Sequence, residues 1–163
     1  MKSKSGISKR RRYRAIALEL AEYFAERGHI VHFSQSVSTP SCYIKLDYGS
    51  SYTIRISDHQ EIRGLDYRFN LMMDMTVQEF NAYKAGLPEP KYPRFFFRQD
   101  EIELLKHAVH LSKQKRMEEL GPDGYARHVK YSKDKFDYQR IARRHTFASK
   151  SERIYPSPAK KGV

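Results

Sequence analysis

Two groups of residues in this sequence have the types and spacing to do chemistry. Asp58, His59 and Glu61 close a β-rich run, and two carboxylates beside an imidazole are a set that holds a divalent cation or moves protons in small nucleases. A Ser57-Asp58 turn that hydrogen-bonds its own backbone explains part of this pattern with no ligand. Glu103, His107 and His110 stand at i, i+4 and i+7, so a helix brings them to one face as a two-histidine, one-carboxylate metal set. The competing account is an exposed helix on which histidine is simply tolerated. Nucleophilic catalysis has less support. Cys42 is the only cysteine and lies in a strand-like run, and no Ser carries the glycines of a nucleophile elbow. No Gly-rich loop is present to cradle phosphates. The sequence implies no cofactor, and a non-catalytic role is favoured over an enzymatic one.

The strongest signal is cationic. The net charge is +12, and it sits at the two ends: residues 1–14 hold seven Lys/Arg and no acid, residues 127–163 hold eleven against three acids, and the stretch between holds 13 basic and 16 acidic residues. Segregated charge points to a polyanionic partner, because neutralising phosphates releases condensed counterions. Lys9, Arg10, Arg11, Arg12 and Arg14 open a helix, where cations oppose the dipole, so helix stability does not account for them. Guanidinium forks suit phosphate oxygens. The second cluster, Arg140, Arg143, Arg144 and Lys150, is interleaved with Tyr138, His145 and Phe147. A 3.6 period gathers Arg140, Arg143 and Arg144 on one side, and the aromatics suit stacking on unpaired bases. Solvated tails and an ordinary amphipathic helix are the simpler explanations, against which stands the coincidence of two basic ends.

Hydrophobic periodicity outlines the scaffold. A chain of 163 residues suits one domain with its own core. Tyr13, Ile16, Ala17, Leu20 and Phe24 recur at helical spacing before Gly28, which predicts a helix from about Ser8 to Arg27. Runs at residues 29–35, 43–47 and 52–57 read as a three-strand meander, with Ile44, Leu46, Tyr52, Ile54 and Ile56 on the buried face. Tyr43, Lys45, Thr53 and Arg55 fall on the opposite face, so Lys45 and Arg55 extend the candidate phosphate contacts. A further extended run is expected at residues 67–73, then a short helix capped by Thr76 and Glu79. Three prolines at residues 87–94 mark an internal joint. Phe95, Phe96 and Phe97 follow; rings facing outward would form a protein-contact patch, and rings facing inward would pin the loop to the core. A long helix over residues 99–120 ends at Gly121-Pro122, and a last helix is expected from Ser132 to about Ala148.

The expected fold is therefore α+β: an N-terminal helix, a small antiparallel sheet of three to four strands, two to three helices and an extended basic tail. It divides into a basic lead at 1–14, a single domain at 8–148 and a tail at 149–163. The run Ser41-Cys42-Tyr43-Ile44-Lys45-Leu46, followed by Tyr52-Thr53-Ile54-Arg55-Ile56-Ser57-Asp58-His59, resembles a hairpin of small uncharacterised proteins encoded by phages, prophages and plasmids. That resemblance implies a mobile-element origin and no catalytic residue. The expected function is non-catalytic binding of nucleic acid by an accessory protein. A protein-binding regulator, a metal-dependent nuclease and a structural particle component are the alternatives. The acids after the basic lead interrupt any signal-like apolar run, and one cysteine fits a reducing compartment, so a cytoplasmic location with no membrane partner is expected. No motif specifies an oligomeric state.

Overall fold

The computed structural model describes residues 2–57, 69–86, 96–142 and 151–156. Helix α1 spans Lys2–Glu26, starting earlier than its apolar periodicity alone suggests. Its buried stripe is Tyr13, Ala17, Leu20, Ala21 and Phe24, the i, i+4, i+7 pattern of a helix with one face in a core. Gly28 ends it in a left-handed conformation at φ 89°. The amide of Gly28 donates to Ala25 at 3.2 Å and that of His29 to Phe24 at 3.1 Å, which is the paired bonding of a Schellman cap.

Strands β1 (Val31–Gln35), β2 (Cys42–Leu46) and β3 (Tyr52–Ser57) form the expected antiparallel meander. The sheet then grows beyond the three to four antiparallel strands anticipated. It has six strands in the order β5-β4-β3-β2-β1-β6 and is mixed in direction. β4 (Phe69–Met72) pairs parallel to β3, and β5 (Phe96–Arg98) pairs parallel to β4. Parallel neighbours require a crossover, and helix α2 (Val77–Ala85) lies in the second one. Thr76 caps α2 by accepting from the Glu79 amide at 3.1 Å. The tail also departs from expectation. Residues Glu152–Ile154 form β6, which lies antiparallel along the outer edge of β1.

Register sorts the sheet residues into two faces. Val31, Phe33, Ile44, Leu46, Ile54, Ile56, Leu71 and Phe97 share the face that carries α1 and the main core. On the second face Met72 and Phe96 pack under Phe80 of α2, while His32 and Lys45 meet the last helix. That helix, α3 (Ile102–Ala142), is broken at Gly121, where φ 74° and ψ 163° fit only glycine. Pro122 opens the second arm, so the arm starts ten residues before the Ser132 anticipated from the sequence. The first arm buries Leu105 and Val109 in the main core, and the second lays Phe136 against His32 on the other face. α3 thus folds round the β2–β3 hairpin.

The hairpin turn is built to be held from both sides. Asp47, Tyr48 and Gly49 all adopt positive φ (51°, 58° and 95°), an arrangement costly for Tyr48. Its ring is packed 5.0 Å from His32 and 5.4 Å from Phe136. The buried Asp47 carboxylate accepts from the Ile30 amide at 2.8 Å, from the Tyr125 hydroxyl of the second arm, and from Lys113 of the first arm at 3.0 Å. Ser50 Oγ lies 2.9 Å from Ser132 Oγ and 3.0 Å from His128 Nδ1, and Ser51 Oγ is 3.2 Å from the Tyr125 hydroxyl. Burial, then the hydrogen bond to Asp47, raises the Tyr125 phenol, which stays protonated as the donor.

Candidate nucleic-acid interface

Three of the five N-terminal cations named from sequence are tied into the fold. The Arg10 guanidinium donates to the carbonyls of Ser36 at 2.6 Å and Thr39 at 2.8 Å, clamping the β1–β2 connection. Arg12 pairs with Asp74, which also accepts from the Tyr13 hydroxyl at 2.8 Å. Burial pulls the Asp74 carboxyl upward, but the hydrogen bonds from Tyr13 and Arg12 outweigh it and hold it below the ordinary carboxylate value. Arg14 lies over the Phe33 ring at 5.1 Å and reaches Glu152 of β6 at 4.0 Å. Arg11 is exposed, and Lys9 is half-buried. These residues belong to the α1 side of the sheet.

The second face carries a different cationic surface. Along the second arm of α3, Arg127, Lys130, Tyr131 and Tyr138 point outward, since the inward side is taken by Tyr125, Ser132 and Phe136. Tyr131 is 70% exposed and Tyr138 74%, two turns apart, about 10 Å along the axis. Neither they nor Arg127, Lys130 and Lys135 make an ion pair, hydrogen bond or ring contact among the described residues, whereas Lys133 is paired with Asp137 at 2.9 Å. Arg153 of β6 stands opposite His32 in the register, and His32 touches Phe136, so β6 adjoins the same surface. The Arg153 guanidinium sits 4.9 Å over the ring of Tyr155, itself 65% exposed.

The chain matches no protein-family model, no curated protein and no solved structure.

The remaining sequence candidates are distributed as follows. Lys45 faces Phe136, its ammonium 5.3 Å from the ring, and Arg55 lies 6.0 Å over Tyr43, both on the second face as the alternation predicted. Arg140 falls in the last turn of α3. Arg143, Arg144 and Lys150 lie outside the described residues, as do Asp58, His59, Glu61, Phe95 and the 87–94 joint. Phe96 and Phe97 do not form an exposed contact patch. They are consecutive residues of β5, so alternation sends Phe97 into the main core and Phe96 beneath Tyr83 of α2, and both are buried. Glu103, His107 and His110 do lie along one side of α3, but Glu103 pairs with Lys106 at 3.0 Å, and no three His, Cys, Asp or Glu groups gather as a metal site among the described residues. Burial, against the opposing charges of Arg14 and Arg10, pushes the Cys42 thiol up to about 12 and leaves it a poor nucleophile.

Sequence reasoning missed Arg127, Lys130 and Tyr131 because it placed the helix start at Ser132. The signal was present: Pro122 directly after Gly121 is a helix-opening residue, and Tyr131 and Tyr138 are seven apart. Of the residues lining the cleft between α1 and the first arm of α3, only Glu103, His107 and His110 were singled out from the sequence, as a metal set. That cleft, about 1180 Å³, is lined by acids and bases together, Glu103 and Glu118 beside Arg27, Lys106, Lys113 and three histidines.

Proposed function

We propose that this protein binds nucleic acid without catalysis, through the outward stripe of α3 and the adjoining β6. One observation carries the reading: the three most exposed large hydrophobic side chains, Tyr131, Tyr138 and Tyr155, all lie on this basic surface. A tyrosine two-thirds exposed contributes nothing to a core, whereas a ring beside unpaired cations offers a stacking platform and phosphate contacts together. The geometry favours an unpaired strand, whose bases can splay onto rings. Cations and stacking rings act on any sequence, so affinity is expected to depend on salt more than on sequence. On the resemblance of residues 41–59, the role would be that of an accessory protein of a mobile element.

Fluorescence anisotropy with single-stranded and duplex DNA and RNA at two salt concentrations tests this. Single strands should bind more tightly than duplex, and Tyr131→Ala with Tyr138→Ala should together weaken single-strand binding by about 30-fold or more, from stacking energies of about 1–3 kcal/mol for each of two bases. Absence of binding at low salt, or an unchanged affinity in the double variant, sinks the proposal.

A further inference from the structure

Three acids lie on the second arm of α3, and two of them are explained by the arm itself. Asp123 follows Pro122 in the first turn, where the helix dipole favours negative charge. Asp137 is paired with Lys133 one turn earlier at 2.9 Å. Neither reason applies to Asp134. It lies in the body of the arm and is exposed, and among the described residues it makes no ion pair or hydrogen bond. Lys130 stands four residues before it, a spacing that suits a pair, yet the two charges stay apart and each is open to a ligand.

The position of Asp134 gives it a use. Arg127, Tyr131, Asp134 and Tyr138 follow one another at i, i+4, i+7 and i+11, so they form one outward file of the helix, and all four are exposed. Along the axis the carboxylate stands about 4.5 Å beyond Tyr131 and about 6 Å before Tyr138. A negative charge there repels phosphate and works against the cations beside it. What a carboxylate does offer is acceptor oxygens. A base laid on either ring brings its edge towards those oxygens, and bases differ in what that edge donates. Guanine presents two adjacent donors, N1–H and the N2 amino group, which match a carboxylate in bidentate fashion, whereas adenine, cytosine and thymine each donate from one position.

We infer that Asp134 is a base-reading residue that gives the tyrosine stripe a preference for guanine in an unpaired strand, its carboxylate accepting from N1–H and the N2 amino group of a base stacked on Tyr131 or Tyr138. The inference rests on strand binding by the stripe and adds selectivity to it. Salt still governs the overall affinity, because the cations meet every phosphate and the carboxylate meets one base.

The test uses the full chain and thymine tracts that carry one central guanine, 7-deazaguanine, hypoxanthine or adenine, in whichever sugar series binds more tightly. Guanine and 7-deazaguanine keep both donors and should bind about 5-fold more tightly than adenine, with hypoxanthine, which lacks the N2 amino group, weaker than guanine. In Asp134→Ala the guanine advantage should shrink to within about twofold. Affinity for the plain thymine tract should hold or rise in that variant, because a charge that repels phosphate is gone. Asp123→Ala removes the same charge away from the ring pair and should keep the guanine preference. Equal affinity for guanine and hypoxanthine tracts in the unsubstituted protein, or a preference that survives in Asp134→Ala, overturns the inference while strand binding stands. Failure of every tract to bind at low salt overturns strand binding and this inference with it.

Discussion

Asp47 is the residue on which most of the polar architecture converges. It is buried, its backbone is left-handed, and its carboxylate serves three donors, one from the α1–β1 connection and one from each arm of α3. Asn tolerates the same backbone and keeps one acceptor oxygen, so Asp47→Asn isolates the charge. Removing one partner of a buried ion pair leaves the other unpaired, and a loss of about 3 kcal/mol is expected in urea denaturation. His29 adds a pH dependence. Its folded value of about 4 lies below the ordinary 6.5, so the unfolded chain binds the extra proton first as the medium is acidified. Its contribution is complete above pH 6.5 and is lost as pH falls from 6.5 to 4, on the order of 3 kcal/mol in all. His29→Gln should flatten the stability profile across that window. A profile equally steep in the variant would show that other groups carry it.

At the scale of elements, the break in α3 decides which surfaces exist. Gly121 sits at φ 74°, ψ 163°, and a Cβ placed there meets nothing within 4 Å, so the penalty of Gly121→Ala is conformational and free of steric conflict with neighbours. About 1–3 kcal/mol of destabilisation is expected, read as a lower denaturant midpoint, together with weaker strand binding because the second arm loses its placement. The elements differ in how plainly the sequence announced them. α1 and its Schellman end, the meander and the Thr76 cap were legible because periodicity, glycine position and capping chemistry are local signals. Parallel pairing of β4 and β5 was not, since nothing in a short apolar run tells which neighbour it will choose. Whether the phenylalanines faced out or in was left open by the sequence, because only the strand shows that the adjacent Phe96 and Phe97 point to opposite faces, each into a different core. The N-terminal cations were visible as charge, but only tertiary structure shows Arg10 and Arg12 holding loops.

For the molecule as a whole, the described cations of the two ends lie on different faces of one sheet, Arg10, Arg12 and Arg14 on the α1 side and Arg127 and Lys130 on the side of the second arm of α3. This separates their roles experimentally. Arg127→Ala and Lys130→Ala should each lower the slope of log affinity against log salt by about 1 without affecting the melting temperature. Arg10→Ala should instead lower the melting temperature, because it releases the β1–β2 connection, and should leave that slope nearly unchanged. Equal salt slopes in all three variants would mean that the surfaces act together. Among the described residues no helix is long and apolar enough to cross a membrane.

The pairing of β6 with β1 also sets a schedule. Val31 meets Ile154 across about three-quarters of the chain, and the second arm of α3 lies between them in sequence. Such a contact has high loop-closure entropy and forms late. While the chain is being synthesised, the outer edge of β1 therefore stays open to pairing with other chains until Glu152–Ile154 have emerged. Pulse-labelled hydrogen exchange during refolding should find the β1 amides that face β6 protected after those that face β2. If the order is reversed, the last strand guides folding instead of closing it.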